Sequence, residues 1–90
     1  MVRVRARYTG RVQGVGFRAT ARSVAEGAPV SGWVRNEPDG SVTLEVQGDP
    51  AAVGAYLTEV GERLGRYVRA EERTPVPVAE GARGFELTRV

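Results

Sequence analysis

The sequence predicts an α+β sandwich in which two helices cover one face of an antiparallel sheet. Three observations predict it. Apolar and polar residues alternate over 2–8 and 42–47. Apolar residues recur at helical spacing over 17–25 and 53–64, and turn chemistry separates the runs in the order β, α, β, β, α, β.

Val2, Val4, Ala6 and Tyr8 alternate with Arg3, Arg5 and Arg7, which reads as a strand with one apolar face. The arginine ladder reads as a solvated face that also guards against edge pairing. Gly10, Gly14 and Gly16 then make a permissive loop. Phe17, Ala21, Val24 and Ala25 trace a helix that Gly27 and Pro29 end. A second strand runs from Val30 to Asn36, and EPDG at 37–40 turns the chain, with proline presetting one dihedral and glycine accepting a positive φ. Val42, Leu44 and Val46 form the inward face of a third strand, opposite Thr43, Glu45 and Gln47.

Asp49 and Pro50 read as a side-chain cap and first residue of a second helix. Its apolar face is Val53, Tyr56, Leu57, Val60 and Leu64, closed by Gly65. Gly54 and Gly61 inside it each cost up to about 1 kcal/mol, so close packing on the sheet is the expected reason for them. Tyr67 to Arg73 reads as a fourth strand and 74–84 as a loop. Phe85 to Val90 is a short closing strand or the far half of a broken fourth one.

This order is the split βαβ, or ferredoxin-like, arrangement, with one domain over residues 1–90. It makes strands 1 and 2 parallel with strand 3 between them. The glycine loop at the end of strand 1 and Asn36 at the end of strand 2 therefore share one edge, two strand spacings or roughly 10 Å apart.

Composition narrows the chemistry. No cysteine or histidine is present, and all thirteen basic residues are arginine. Thiolate nucleophiles, Ser-His triads and zinc sites are excluded, as are lysine Schiff bases and Walker A loops. A CxxC metal carrier is excluded too. Arginine, amides, hydroxyls, carboxylates and the backbone remain. The net charge of +2 is too small to mark a nucleic-acid tail, and neither a signal peptide nor a membrane span is present, so a cytoplasmic protein is expected.

A glycine loop between strand and helix can turn successive amides inward as a nest for an anion. Arg18, in the first turn of the following helix, is a cation against the macrodipole, a misfit that a bound phosphate relieves. A flexible connection fits the glycines alone equally well. Gly14, Gly16 and Ala19 also match a dinucleotide fingerprint, but the hairpin that follows does not continue a βαβ unit. RNA recognition uses the same element order, yet the outward positions of strands 1 and 3 carry no aromatic residue. Trp33 reads as a core or edge residue whose N–H finds a partner.

GRVQGVGFR at 10–18 and GWVRNEPDGSVTLEVQG at 32–48 resemble the two signature segments of the acylphosphatase family, in their usual order. The departures are Tyr8, where an aliphatic residue is usual, and GAPVSG at 27–32, which lacks a leucine; both concern packing. The resemblance implies a free-standing, monomeric hydrolase without metal or cofactor that cleaves acyl phosphates to a carboxylate and inorganic phosphate. A phosphate-binding module without turnover is the rival within the same resemblance. The resemblance further implies that Arg18 and the backbone amides of Gln13, Gly14, Val15, Gly16, Phe17 and Arg18 bind the phosphate. By the same token Asn36 orients the attacking water, and inorganic phosphate inhibits as product.

Overall fold

Alternation and turn chemistry produce the expected elements. The computed structural model describes residues 1–89: β1 (Val2–Gly10), α1 (Phe17–Glu26), β2 (Ser31–Asn36), β3 (Val42–Gly48) and α2 (Pro50–Leu64), then a 3-10 turn (Gly65–Tyr67), β4 (Val68–Val76) and β5 (Phe85–Thr88). The sheet order is β4-β1-β3-β2-β5, antiparallel except for the parallel pair of β2 and β5. Two helices pack on one face, which is the ferredoxin-like sandwich. Among the described residues no helix is long and apolar enough to cross a membrane.

In register, Ala6, Leu44 and Val34 form one row on the helix side and Tyr8, Val42 and Asn36 the next. The first row and most of the second are fully buried against Ala21, Val53, Leu57 and Val60. Each buried aliphatic side chain of this kind contributes about 1.5–3 kcal/mol. Tyr56 reaches across the helix layer, its hydroxyl donating to the Ala21 carbonyl at 2.9 Å. The Tyr8 hydroxyl, equally buried, meets no hydrogen-bond partner among the described residues.

The end of the chain resolves the ambiguity left by the sequence. β4 continues through Thr74 to Val76, because Pro75 sits on an edge strand where its missing N–H costs no ladder bond. Phe85–Thr88 is a separate strand at the other edge of the sheet, its Phe85 ring 5.6 Å from that of Tyr56. Val90, included in the expected closing strand, lies outside the described residues. The connection between these edges crosses the helix-free face. Gln47 holds it there by donating to the Ala79 carbonyl at 3.0 Å and accepting from the Ala79 N–H at 2.8 Å.

That crossing corrects the arginine ladder. β1 is an interior strand, and Arg3 is buried rather than solvated: its Nε donates to Glu45 at 2.7 Å and its Nη1 to Gln47 at 3.1 Å. Arg5 closes on the other carboxylate oxygen of Glu45. Burial pushes the Glu45 pKa up, but the two arginines outweigh it and leave the group below its ordinary value. Trp33, also on this face, is half-buried under the Arg35 guanidinium, 4.8 Å from the ring.

Two expectations for α2 fail. Asp49 stands at the N-cap position in extended conformation, but its exposed carboxylate caps no amide, and Pro50 brings no N–H to be capped. A Cβ on Gly54 or Gly61 would meet nothing within 4 Å, so close packing does not explain these glycines.

Candidate active site

The loop between β1 and α1 is held at both ends by apolar anchors. Val12 is fully buried, and Phe17 is buried with its ring 5.0 Å from that of Tyr8. A third restraint is polar: the Gln13 side-chain Nε2 donates to the carbonyls of Glu37 and Ser41 at 2.8 and 2.9 Å. The loop is thereby tied to the β2–β3 turn, and the flexible-connection reading falls.

Between the anchors Gly14 and Gly16 have φ of +78° and +77°, while Val15 between them has the negative φ of an ordinary residue. Such alternation turns consecutive N–H groups toward one side. Gly16 is also the N-cap of α1, so the positive end of the helix opens on the same loop. Among the described residues, none of the backbone N–H groups from Gln13 to Ala19 donates a hydrogen bond. Seven consecutive amides without acceptors are costly unless water or an anion takes them.

Arg18 follows Phe17 directly, so the anchored ring fixes where its guanidinium emerges. Asn36 reaches the same place from β2, the strand beyond β3. Arg18, Gly14, Gly16 and Asn36 line one cleft of about 180 Å³. The side chains of Arg18 and Asn36 are half-buried and, among the described residues, engage no hydrogen-bond or ion-pair partner. The cleft therefore unites both predicted side chains with two predicted loop positions, Gly14 and Gly16, and with Phe17. Gln13 and Val15 lie outside its lining.

Four apolar residues complete it: Val12, Phe17, Ala19 and Leu87. Leu87 was illegible from sequence, because β5 could not be placed until its pairing with β2 was known; Val34 opposite Leu87 is its register partner. The side-chain role of Gln13 was likewise missed, since its residue type signals a donor but not its acceptors. Among the described residues no group of three or more histidine, cysteine, aspartate or glutamate side chains could hold a metal ion. On the helix-free face Arg3, Glu45 and Gln47 interlock and are buried, and the half-buried Trp33 ring there lies under the Arg35 guanidinium.

A guanidinium and a carboxamide lining one small cleft beside a loop of unpaired amides suit a hydrolase that holds a tetrahedral oxyanion without a nucleophilic side chain. The family model described as acylphosphatase matches residues 4–87. Over 88 residues the chain is 47% identical to an acylphosphatase of Salinibacter ruber, covering 98% of this chain and 90% of the relative. It is 45% identical to one of Thermococcus kodakarensis over 91 residues, with 97% and 98% covered. The crystal structure of acylphosphatase from Bacillus subtilis superposes with a TM-score of 0.87 at 29% identity, covering 98% and 99% of the two chains. The chain belongs to the acylphosphatase family.

Proposed function

We propose that this acylphosphatase, a hydrolase acting on acid anhydrides, binds the phosphoryl group of an acyl phosphate with Arg18 and the amides of Gln13 to Arg18. Asn36 places the attacking water. The observation that carries this assignment is that Arg18 and Asn36 line one cleft together with Gly14 and Gly16, from a loop whose amides donate no hydrogen bond among the described residues.

An acyl phosphate is a mixed anhydride whose leaving group is a carboxylate with a pKa of about 4 to 5. It leaves unprotonated, so no general acid is needed and a chain without histidine suffices. Phosphoryl transfer is catalysed mostly by positioning and by charge stabilisation. Arg18 grips two phosphoryl oxygens with its fork, and the amides take the remaining charge. The Asn36 carboxamide oxygen accepts a hydrogen bond from water on the side opposite the acyl group. The O–P bond to the acyl oxygen breaks, the water oxygen forms the new O–P bond, and carboxylate and inorganic phosphate leave. The apolar rim of Ala19 and Leu87 accepts the acyl portion of the substrate. No cofactor enters these steps. The enzyme acts as a single cytoplasmic domain and as a monomer, as the family resemblance implies.

The test compares wild type, Arg18→Ala and Asn36→Ala on benzoyl phosphate, with inorganic phosphate as competitive inhibitor. Arg18→Ala is expected to lose both rate and phosphate affinity. Asn36→Ala is expected to keep phosphate inhibition while kcat falls about 100-fold or more. A near-normal rate in Asn36→Ala removes the water-placing role.

A further inference from the structure

A larger concavity, about 990 Å³, lies toward β4 and is lined by Gly10, Arg11 and Val15 of the loop rather than by the residues that face the cleft. Four arginines line it, Arg7, Arg11, Arg66 and Arg69, against a single acid, Asp39. Arg7 is matched: its Nη2 donates to Asp39 at 2.7 Å. Asp39 also accepts from the hydroxyl and N–H of Ser41, which, ahead of Arg7, hold its carboxyl far below the ordinary range. Arg66 lies over the Tyr67 ring and donates to the Tyr67 hydroxyl at 2.8 Å, contacts that leave its charge in place. Among the described residues Arg11 and Arg69 meet no carboxylate within 4.0 Å. Arg3, Arg5, Arg35, Arg63 and Arg73, in contrast, each have a glutamate within 3.1 Å.

Backbone geometry gathers this surplus of three charges. Thr9 pairs with Ala70 but Gly10 with Val68, so Arg69 is the extra residue of a β-bulge. A bulge re-aims a side chain that regular pairing would send elsewhere. Only glycine fits opposite it: Gly10 has φ +125°, and a Cβ there would lie 2.5 Å from the Tyr67 carbonyl oxygen and 2.7 Å from the Arg69 nitrogen. The Arg11 N–H donates to that same carbonyl at 2.9 Å, which draws Arg11 beside Arg66 and Arg69. Like charges crowded in a concavity repel, and a backbone shaped to crowd them is explained by an anion between them.

We propose that this groove is a second anion site, separate from the cleft of Arg18 and Asn36, and that it takes a linear oligophosphate. Guanidinium forks match phosphate oxygens in pairs. An extended acidic peptide spaces same-side carboxylates about 7 Å apart, whereas an oligophosphate carries charge on every phosphoryl unit. Three guanidinia without a carboxylate partner among the described residues, within one groove, suit the denser anion.

The experiment titrates sodium tripolyphosphate calorimetrically into wild type, Arg18→Ala and the double variant Arg11→Gln/Arg69→Gln at low ionic strength. Benzoyl phosphate hydrolysis by wild type and the double variant is followed in parallel. The double variant is expected to bind about tenfold more weakly or worse, with its hydrolytic rate kept. Arg18→Ala is expected to keep the groove's binding event at wild-type affinity and to lose only the separate event at the cleft. Unchanged binding by the double variant, or binding abolished by Arg18→Ala, places the anion in the other cleft and overturns the proposal. Absence of binding by wild type at millimolar tripolyphosphate overturns it as well, and oligoglutamate binding as tightly as tripolyphosphate overturns the phosphate assignment.

Discussion

Gln13 shows how one side chain can serve two strands. Its carboxamide nitrogen supplies two hydrogen bonds between the loop after β1 and the turn that follows Asn36. Gln13→Ala leaves two carbonyls short of a donor and is expected to cost about 1–2 kcal/mol in urea unfolding. Because that staple sets the distance between loop and hairpin, benzoyl phosphate turnover is expected to fall about tenfold or more as well. A variant that loses stability but not rate shows that the anchors Val12 and Phe17 hold the cleft unaided. That Arg18 and Asn36 share a cleft was legible in the sequence because element order sends the ends of β1 and β2 to one edge, while their roles were read from the family resemblance. The acceptors of Gln13 were not, since they depend on how closely the loop approaches the hairpin.

α2 was legible in its apolar face and misleading in its details. The face repeats every three to four residues and is buried as written. The glycines were read as packing devices, yet both have open space where a side chain would stand. Gly54→Ala and Gly61→Ala are each expected to stabilise the protein by about 0.5–1 kcal/mol, through helix propensity and a less flexible unfolded chain. Two turns apart and without shared partners, they should add, raising the thermal midpoint by several degrees. A drop in midpoint on either substitution would mean that the groove beside α2 requires the missing side chain. β5 was illegible for a different reason. A four-residue strand in parallel pairing carries too short a pattern to reveal its neighbour, and only the crossing under Gln47 puts it beside β2.

Across the whole molecule, carboxylates held by arginines and hydroxyls set the response to acid. Asp39 is lowered by Ser41 and then Arg7, and Glu37 by the Thr43 hydroxyl and then Arg35 against the opposing effect of burial. Glu45 is lowered by Arg3 and Arg5 in spite of burial. Each group holds its proton less tightly folded than unfolded, so the unfolded chain binds protons first as pH falls. Their contribution is present above the unfolded values, about 4, and is lost as pH drops through the folded ones. The thermal midpoint is therefore expected to stay level from about pH 7 to 5 and to decline below about pH 4; a level midpoint down to about pH 2 would contradict the assignment. At the alkaline extreme the buried rings take over. Burial, and for Tyr8 next the charge of Glu71, hold the phenols of Tyr8 and Tyr56 far above their ordinary value. Released into solvent, each ionises near pH 10. Those two rings thus act as a built-in indicator dye: their phenolate absorbance develops only as the sandwich opens, and a single titration with base records proton loss and collapse in the same curve.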